Sequence, residues 1–129
     1  MAWTKVVVVL GMAGVALLIS PPAARAQGAA SAQVKRGQEL YQIRGCAGCH
    51  GMVGAAKGKQ GAAPDLAGVT VRRSPEWLQN WLKNTTTMLT TDSIAMGLWK
   101  DYNMIKMPQI KLSGDDINAL LAFVQTKGG

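Results

Sequence analysis

The chain has 129 residues, of which 48% are hydrophobic, and its 14 Lys and Arg against 7 Asp and Glu give a formal charge of +7. That length suits one domain, and the scattered basic residues form no nucleic-acid-binding motif. Two Cys and one His are its entire stock of thiol and imidazole ligands, one short of a closed zinc site, which takes four such donors.

The first 26 residues read as an export leader. Lys5 supplies a positive start, Val6 to Ile19 an apolar run, and Ala24-Arg25-Ala26 an A-x-A cleavage site. Pro21 and Pro22 should end any helix between them. The apolar run covers 14 residues, short of the roughly 20 that cross a bilayer. Residues 1–26 are therefore expected to be a signal peptide and residues 27–129 a separate domain of 103 residues. No stable membrane insertion is expected after cleavage, whereas an uncleaved leader would tether the domain. The domain from Gln27 onward carries 12 basic and 7 acidic residues, a net +5. Most of these lysines should form a solvated surface, with steering toward an acidic partner patch as the functional reading.

Residues 27–32 are small and polar, which predicts a frayed start. Ser31 is placed to cap a helix over about Ala32 to Arg44, with Val34, Gly37, Leu40 and Tyr41 on one side. Gly37 inside a helix costs stability relative to Ala, so a closely crossing partner helix is its expected reason.

Cys46-Ala47-Gly48-Cys49-His50 follows. This is the C-x-x-C-H pattern of covalent haem attachment. Two thiols three positions apart can each add to a vinyl group, and the next imidazole then reaches the iron as proximal ligand. Both Cys and the sole His of the chain fall within these five residues. A thioredoxin-like pair would need a βαβ setting that is not visible, and a plain disulfide leaves His50 unexplained. No second C-x-x-C-H occurs, so one haem per chain is expected.

Gly51 to Gly61 reads as an exposed loop. In Ala63-Pro64-Asp65-Leu66 the Pro64 carbonyl could accept from His50 Nδ1, the bond that orients a metal-bound imidazole. Ser74-Pro75-Glu76 starts a helix as N-cap, first residue and favourable charge. That helix should run to about Asn84 with Trp77, Leu78, Trp81 and Leu82 on its apolar face, which suits a large flat surface. Thr85 to Thr91 reads as a connector. A short helix over Ser93 to Tyr102 should turn Ile94, Leu98 and Tyr102 to one side, and Asn103 to Leu112 has no sustained period. Ser113 caps a last helix with Asp115 and Asp116 in its first turn and Ile117, Leu120, Leu121, Phe123 and Val124 facing inward.

With the one His used, the second axial position falls to Met, Lys, a weak ligand or none. Met52 is too near the attachment site, Met96 sits mid-helix and Met88 lies in the Thr-rich stretch. Met104 and Met107 lie in the irregular segment, where a thioether can be aimed freely. Pro108 restrains Met107 to extended geometry, so Met107 is the expected ligand, with Met104 as the alternative.

Assembled in this way, the chain resembles a class I monohaem cytochrome c of bacterial type over nearly all of residues 33–127. The motifs that carry the likeness are Gly37-x-x-x-Tyr41, Cys46-x-x-Cys49-His50, Pro64-x-Leu66, the Trp77 helix, Met107-Pro108 and the Leu120 to Val124 helix. The resemblance implies an all-α cytochrome c fold of four to five short helices around one covalent haem c. It implies a crossing of the first and last helices through Gly37, Tyr41, Leu120 and Phe123. It also implies a haem pocket that includes Pro64, Leu66, Trp77, Trp81 and Leu82. Function is expected to follow: a periplasmic one-electron carrier, not an enzyme, with His50 and Met107 on the iron. Lys57, Lys59, Lys106 and Lys111 would form a basic rim for redox partners. The rival readings are a haem subunit of a larger oxidoreductase and a ligand-binding or peroxidase-like haem protein.

Overall fold

Gly37 lies where two helices meet. A Cβ at this position would strike the Ala119 carbonyl and sit 2.7 Å from Phe123 Cβ. Around it gathers the core cluster of Leu40, Tyr41, Ala119, Leu120, Phe123 and Val124. The computed structural model describes residues 22–53 and 62–128. These form five helices: α1 (Pro22–Ile43), α2 (Val69–Arg72), α3 (Pro75–Thr91), α4 (Ser93–Asp101) and α5 (Gly114–Gln125). A 3-10 turn covers Cys46–Gly48. Among the described residues there is no strand, in keeping with the all-α expectation.

The crossing of α1 and α5 is the main tertiary contact. Leu40 is fully buried and Ile117 nearly so. Burying such a side chain is worth about 1.5–3 kcal/mol. The Tyr41 and Phe123 rings meet at 5.7 Å between centroids, tilted by 53°. Arg36 pairs with Asp116 at 3.0 Å across the same crossing. Ala119, unremarked in the sequence reading, is buried because it faces Gly37. Leu121 is only half-buried.

Helix α1 is longer than expected. It starts at Pro22 rather than near Ala32, and Ser31 lies inside it with its hydroxyl donating to the Gly28 carbonyl. The cause is local: residues 23–33 are rich in Ala and Gln, which are strong helix formers, and Pro22 fits a first turn. Residues 26–33 are all exposed, so packing plays no part there. Of the 26 residues expected to form a leader, 1–21 lie outside the described residues.

Helix α3 also overruns its expected end. The Ser74 hydroxyl caps it by accepting from Trp77 N, and the backbone kinks at Asn84 (φ −135°, ψ 36°). It then continues to Thr91 instead of becoming a connector. Tertiary burial overrides the weak helix propensity of the threonines. Thr85, Met88 and Leu89 are buried at helical spacing, and Thr85 Oγ1 donates to the Trp81 carbonyl at 2.7 Å.

Asp92 caps α4 by accepting from Ala95 N, and Ser113 caps α5 by accepting from Asp116 N. In α4 the fully buried residue is Ala95, while Ile94 is exposed. The short α2 was not anticipated. It begins after Gly68, whose positive φ of 67° brings its N–H to the Lys127 carbonyl at 3.2 Å. After α4, Asn103 and Met104 adopt left-handed geometry and turn the chain back toward the centre.

Candidate functional site

One cavity with largely apolar walls runs through the middle of this arrangement. It is bounded by the Cys46–His50 turn, the Pro64–Val69 segment, α3, the end of α4 and the 105–110 segment. Helix α1 ends at Ile43, and Gly45 at φ 78° turns the chain into the 3-10 turn. His50 N and Cys49 N both donate back to the Cys46 carbonyl, at 2.9 and 3.2 Å. This tight turn sets Cys46, Cys49 and His50 together on the cavity wall. No disulfide joins the two cysteines; Cys46 is half-buried and Cys49 exposed.

His50 is held from two directions. Its Nδ1 donates to the Pro64 carbonyl at 2.7 Å, and its own carbonyl accepts from the Tyr41 hydroxyl at 2.7 Å. The Pro64 bond assigns the tautomer and leaves Nε2 as the free ring nitrogen. Burial lowers the His50 pKa, with the Pro64 bond and the Asp65 charge acting in the opposite direction. The net shift favours the neutral imidazole, the form that binds a metal. Burial raises the pKa of Cys46 and that of Tyr41.

The segment beneath His50 is braced by residues that sequence reasoning passed over. Asp65, almost fully buried, accepts from Val53 N at 3.1 Å and Ala67 N at 2.8 Å. Arg72 donates to the Ala67 and Asp65 carbonyls at 2.7 and 2.9 Å. Asp directly after Pro64, bonding two residues ahead, is a turn signature that could have been read. Nothing local marks Arg72.

The opposing side chains come from α3 and the segment before α5. Trp77 and Trp81 stack at 5.6 Å and 7°. Trp77 Nε1 donates to the Asp92 carboxylate. Trp81 Nε1 donates to Met107 Sδ at 3.2 Å. Met107 is, among the described residues, the one methionine on the cavity wall. Met104 is 65% exposed and off the wall, Met88 is buried in α3, and Met52 packs against the α1–α5 core. Pro64, Leu66, Trp77 and Trp81 all line the cavity, but Leu82 does not. Leu82 is half-buried one position past Trp81, and the turn of the helix carries it off the wall. Gly37, Tyr41, Leu120 and Phe123 meet at the α1–α5 crossing instead.

The walls fit a haem. Two thiols stand beside an oriented neutral imidazole in an apolar space, which is the donor set for covalent attachment. Arg73 Nε and Trp99 Nε1 are buried without a hydrogen-bond partner, and both residues line the cavity. Unpaired buried N–H groups are costly, and the carboxylates of a haem would give these two acceptors. Among the described residues no three His, Cys, Asp or Glu side chains gather as an all-protein metal cage.

Fold and donor set together define a covalent haem protein of the c type. The cytochrome c family profile matches residues 34–127, and the chain belongs to that family. Its cofactor is accordingly haem c. The fold is similar to that of a cytochrome c from Rhodothermus marinus, at 24% identity and a TM-score of 0.66, over 75% of this chain and 78% of that chain. It is also similar to an engineered Rhodothermus marinus cytochrome c bound to a carbene intermediate, at 23% identity and a TM-score of 0.62 over the same shares. No curated protein matches the chain. Among the described residues no helix is long and apolar enough to cross a membrane.

Proposed function

We propose that this chain is an exported, periplasmic one-electron carrier whose haem iron is held between His50 Nε2 and Met107 Sδ. The observation that carries this reading is the convergence of both thiols, the oriented imidazole and a single thioether on one apolar cavity. Bound haem supplies a ferric–ferrous couple. His/Met ligation raises the potential of that couple and suits electron transfer.

The residues around the couple limit how much must move. His50 is fixed by Pro64 and Tyr41, and Met107 by Trp81. Both ligands therefore arrive in place. A peroxidase would instead need an acid–base group beside an open iron position, and here the sole histidine is taken by the proximal role. The exposed Cys49 marks a side of the cavity that reaches solvent.

Arg44, Arg72 and Lys106 are exposed cations on the cavity wall, and Lys111 is exposed four residues past Met107. Lys57 and Lys59 lie outside the described residues. A basic rim of this kind favours an acidic docking patch on the redox partner, through a field that salt screens. Cleavage of the leader after Ala26 would leave the α1–α5 crossing intact, because the first buried residue of α1 among those described is Gly37.

The test is optical. The native ferric holoprotein should show the weak red-edge charge-transfer band of methionine-ligated haem, and the ferrous form should resist carbon monoxide. A missing band together with ready carbon monoxide binding would overturn the carrier reading and favour a ligand-binding protein.

A further inference from the structure

We propose that Gln109 is a positioning residue for Met107: its side-chain amide fastens the ligand segment to the kink in α3. The inference rests on Met107 being the axial ligand and goes on to assign what holds that ligand in place.

The kink is where the contact is made. Gln109 Nε2 donates to the Leu82 carbonyl at 3.3 Å and to the Lys83 carbonyl at 3.1 Å. Gln109 Oε1 accepts from Thr86 N at 3.4 Å. Leu82 O and Thr86 N are four residues apart, the pair that closes one rung of an unbroken α-helix. Asn84 departs from helical geometry between them, and the Gln109 amide bonds to both ends of that rung. A primary amide can do this because it carries donors and an acceptor on one planar group.

The chain transmits that grip to Met107. Only Pro108 separates the two residues. The proline ring fixes its own φ and restricts Met107 to extended geometry. Little freedom is left between the anchored amide and the thioether. One turn earlier in α3, the Trp81 indole reaches the Met107 sulfur itself. Helix α3 therefore holds the ligand twice, once at its sulfur and once through the backbone two residues on. Gln109 is exposed, so apolar burial does not account for where its side chain lies.

Imidazole competition in the ferric holoprotein separates this role from a merely structural one. Imidazole must wait for Met107 to leave, so its binding rate reads the hold on the ligand. In Gln109→Ala that rate should rise about tenfold, the order expected from losing one or two hydrogen bonds, and the red-edge band should weaken. Gln109→Glu keeps the length but loses the donors toward Leu82 and Lys83. It carries the same expectation and serves where the alanine variant does not accumulate. Val34→Ala, in α1 and away from the cavity, should lower the melting temperature without changing the imidazole rate. A wild-type rate in both Gln109 variants would overturn the proposal while Met107 ligation stands. Absence of the red-edge band from the wild-type protein would overturn both together.

Discussion

His50 is fixed by neighbours on two separate elements, Tyr41 on α1 and Pro64 in the segment before α2. Such bonds orient a metal-binding imidazole before the metal is present. A second pairwise effect is at the surface of the α1–α5 crossing. Arg36 holds the Asp116 carboxyl below its ordinary pKa, chiefly through their hydrogen bond, with help from Ser113. A lowered folded-state value means that the unfolded chain takes up the proton first. The pair's stabilisation is complete above the unfolded carboxylate pKa and disappears as pH falls through the folded value. Thermal melts of the holoprotein from neutral to acid pH should therefore show a shallower acid decline in Asp116→Asn than in the wild type. Identical acid slopes would remove the pair from the account. At this scale the thiols and imidazole on the cavity wall were legible because the chain spends its only Cys and His there. Pro108 favoured Met107 over Met104 in the sequence, and the structure puts Met107 on the cavity wall and Met104 off it. Asp65 and Arg72 were not legible, because their partners are main-chain groups of a turn that no periodic pattern announces.

Capping carried much of what could be read of the helices. Ser74 and Ser113 each accept the hydrogen bond that their position implied, and Asp92 does the same for α4. Helix ends without a strong stop signal were the ones misplaced. Helix α1 began ten residues early because an Ala-rich run has nothing to halt it. Helix α3 passed through its threonines because Met88 and Leu89 had core to reach. The α1–α5 crossing gives the element-scale prediction. Gly37→Ala would place a methyl against the Ala119 carbonyl and Phe123 Cβ. Forcing atoms into a packed contact costs about 1–3 kcal/mol, so denaturant unfolding of the variant holoprotein should report a loss in that range. A loss close to zero would mean that the helices can part without penalty and that the crossing is not close-packed.

Across the whole molecule, the protein's own core and its cofactor site are adjacent but distinct. The α1–α5 cluster closes without help, with Leu40 at 0% exposure. The cavity beyond it keeps Trp77, Trp81 and Trp99 only half-buried and leaves Arg73 Nε and Trp99 Nε1 unpaired. Aromatic area and buried donors in this state are what a flat, largely apolar group with two carboxylates would complete. A haem bound there would complete the core as well as supply a redox centre. That division was visible in the sequence only through the attachment motif. The kink at Asn84 and its bridge to Gln109 involve contacts 23 to 27 residues distant in the chain and left no local trace.

In the proposed function Met107, held by α3, completes the iron coordination that His50 begins. Redox titration of the native holoprotein beside its Met107→Ala and Met104→Ala forms tests it most directly. Met107→Ala should lower the midpoint potential by on the order of 0.2 V, part of the roughly 0.8 V that axial ligation spans. Met104→Ala should leave the midpoint where it is. An unchanged midpoint in Met107→Ala, or a drop in Met104→Ala instead, would rule out Met107 as the second axial ligand.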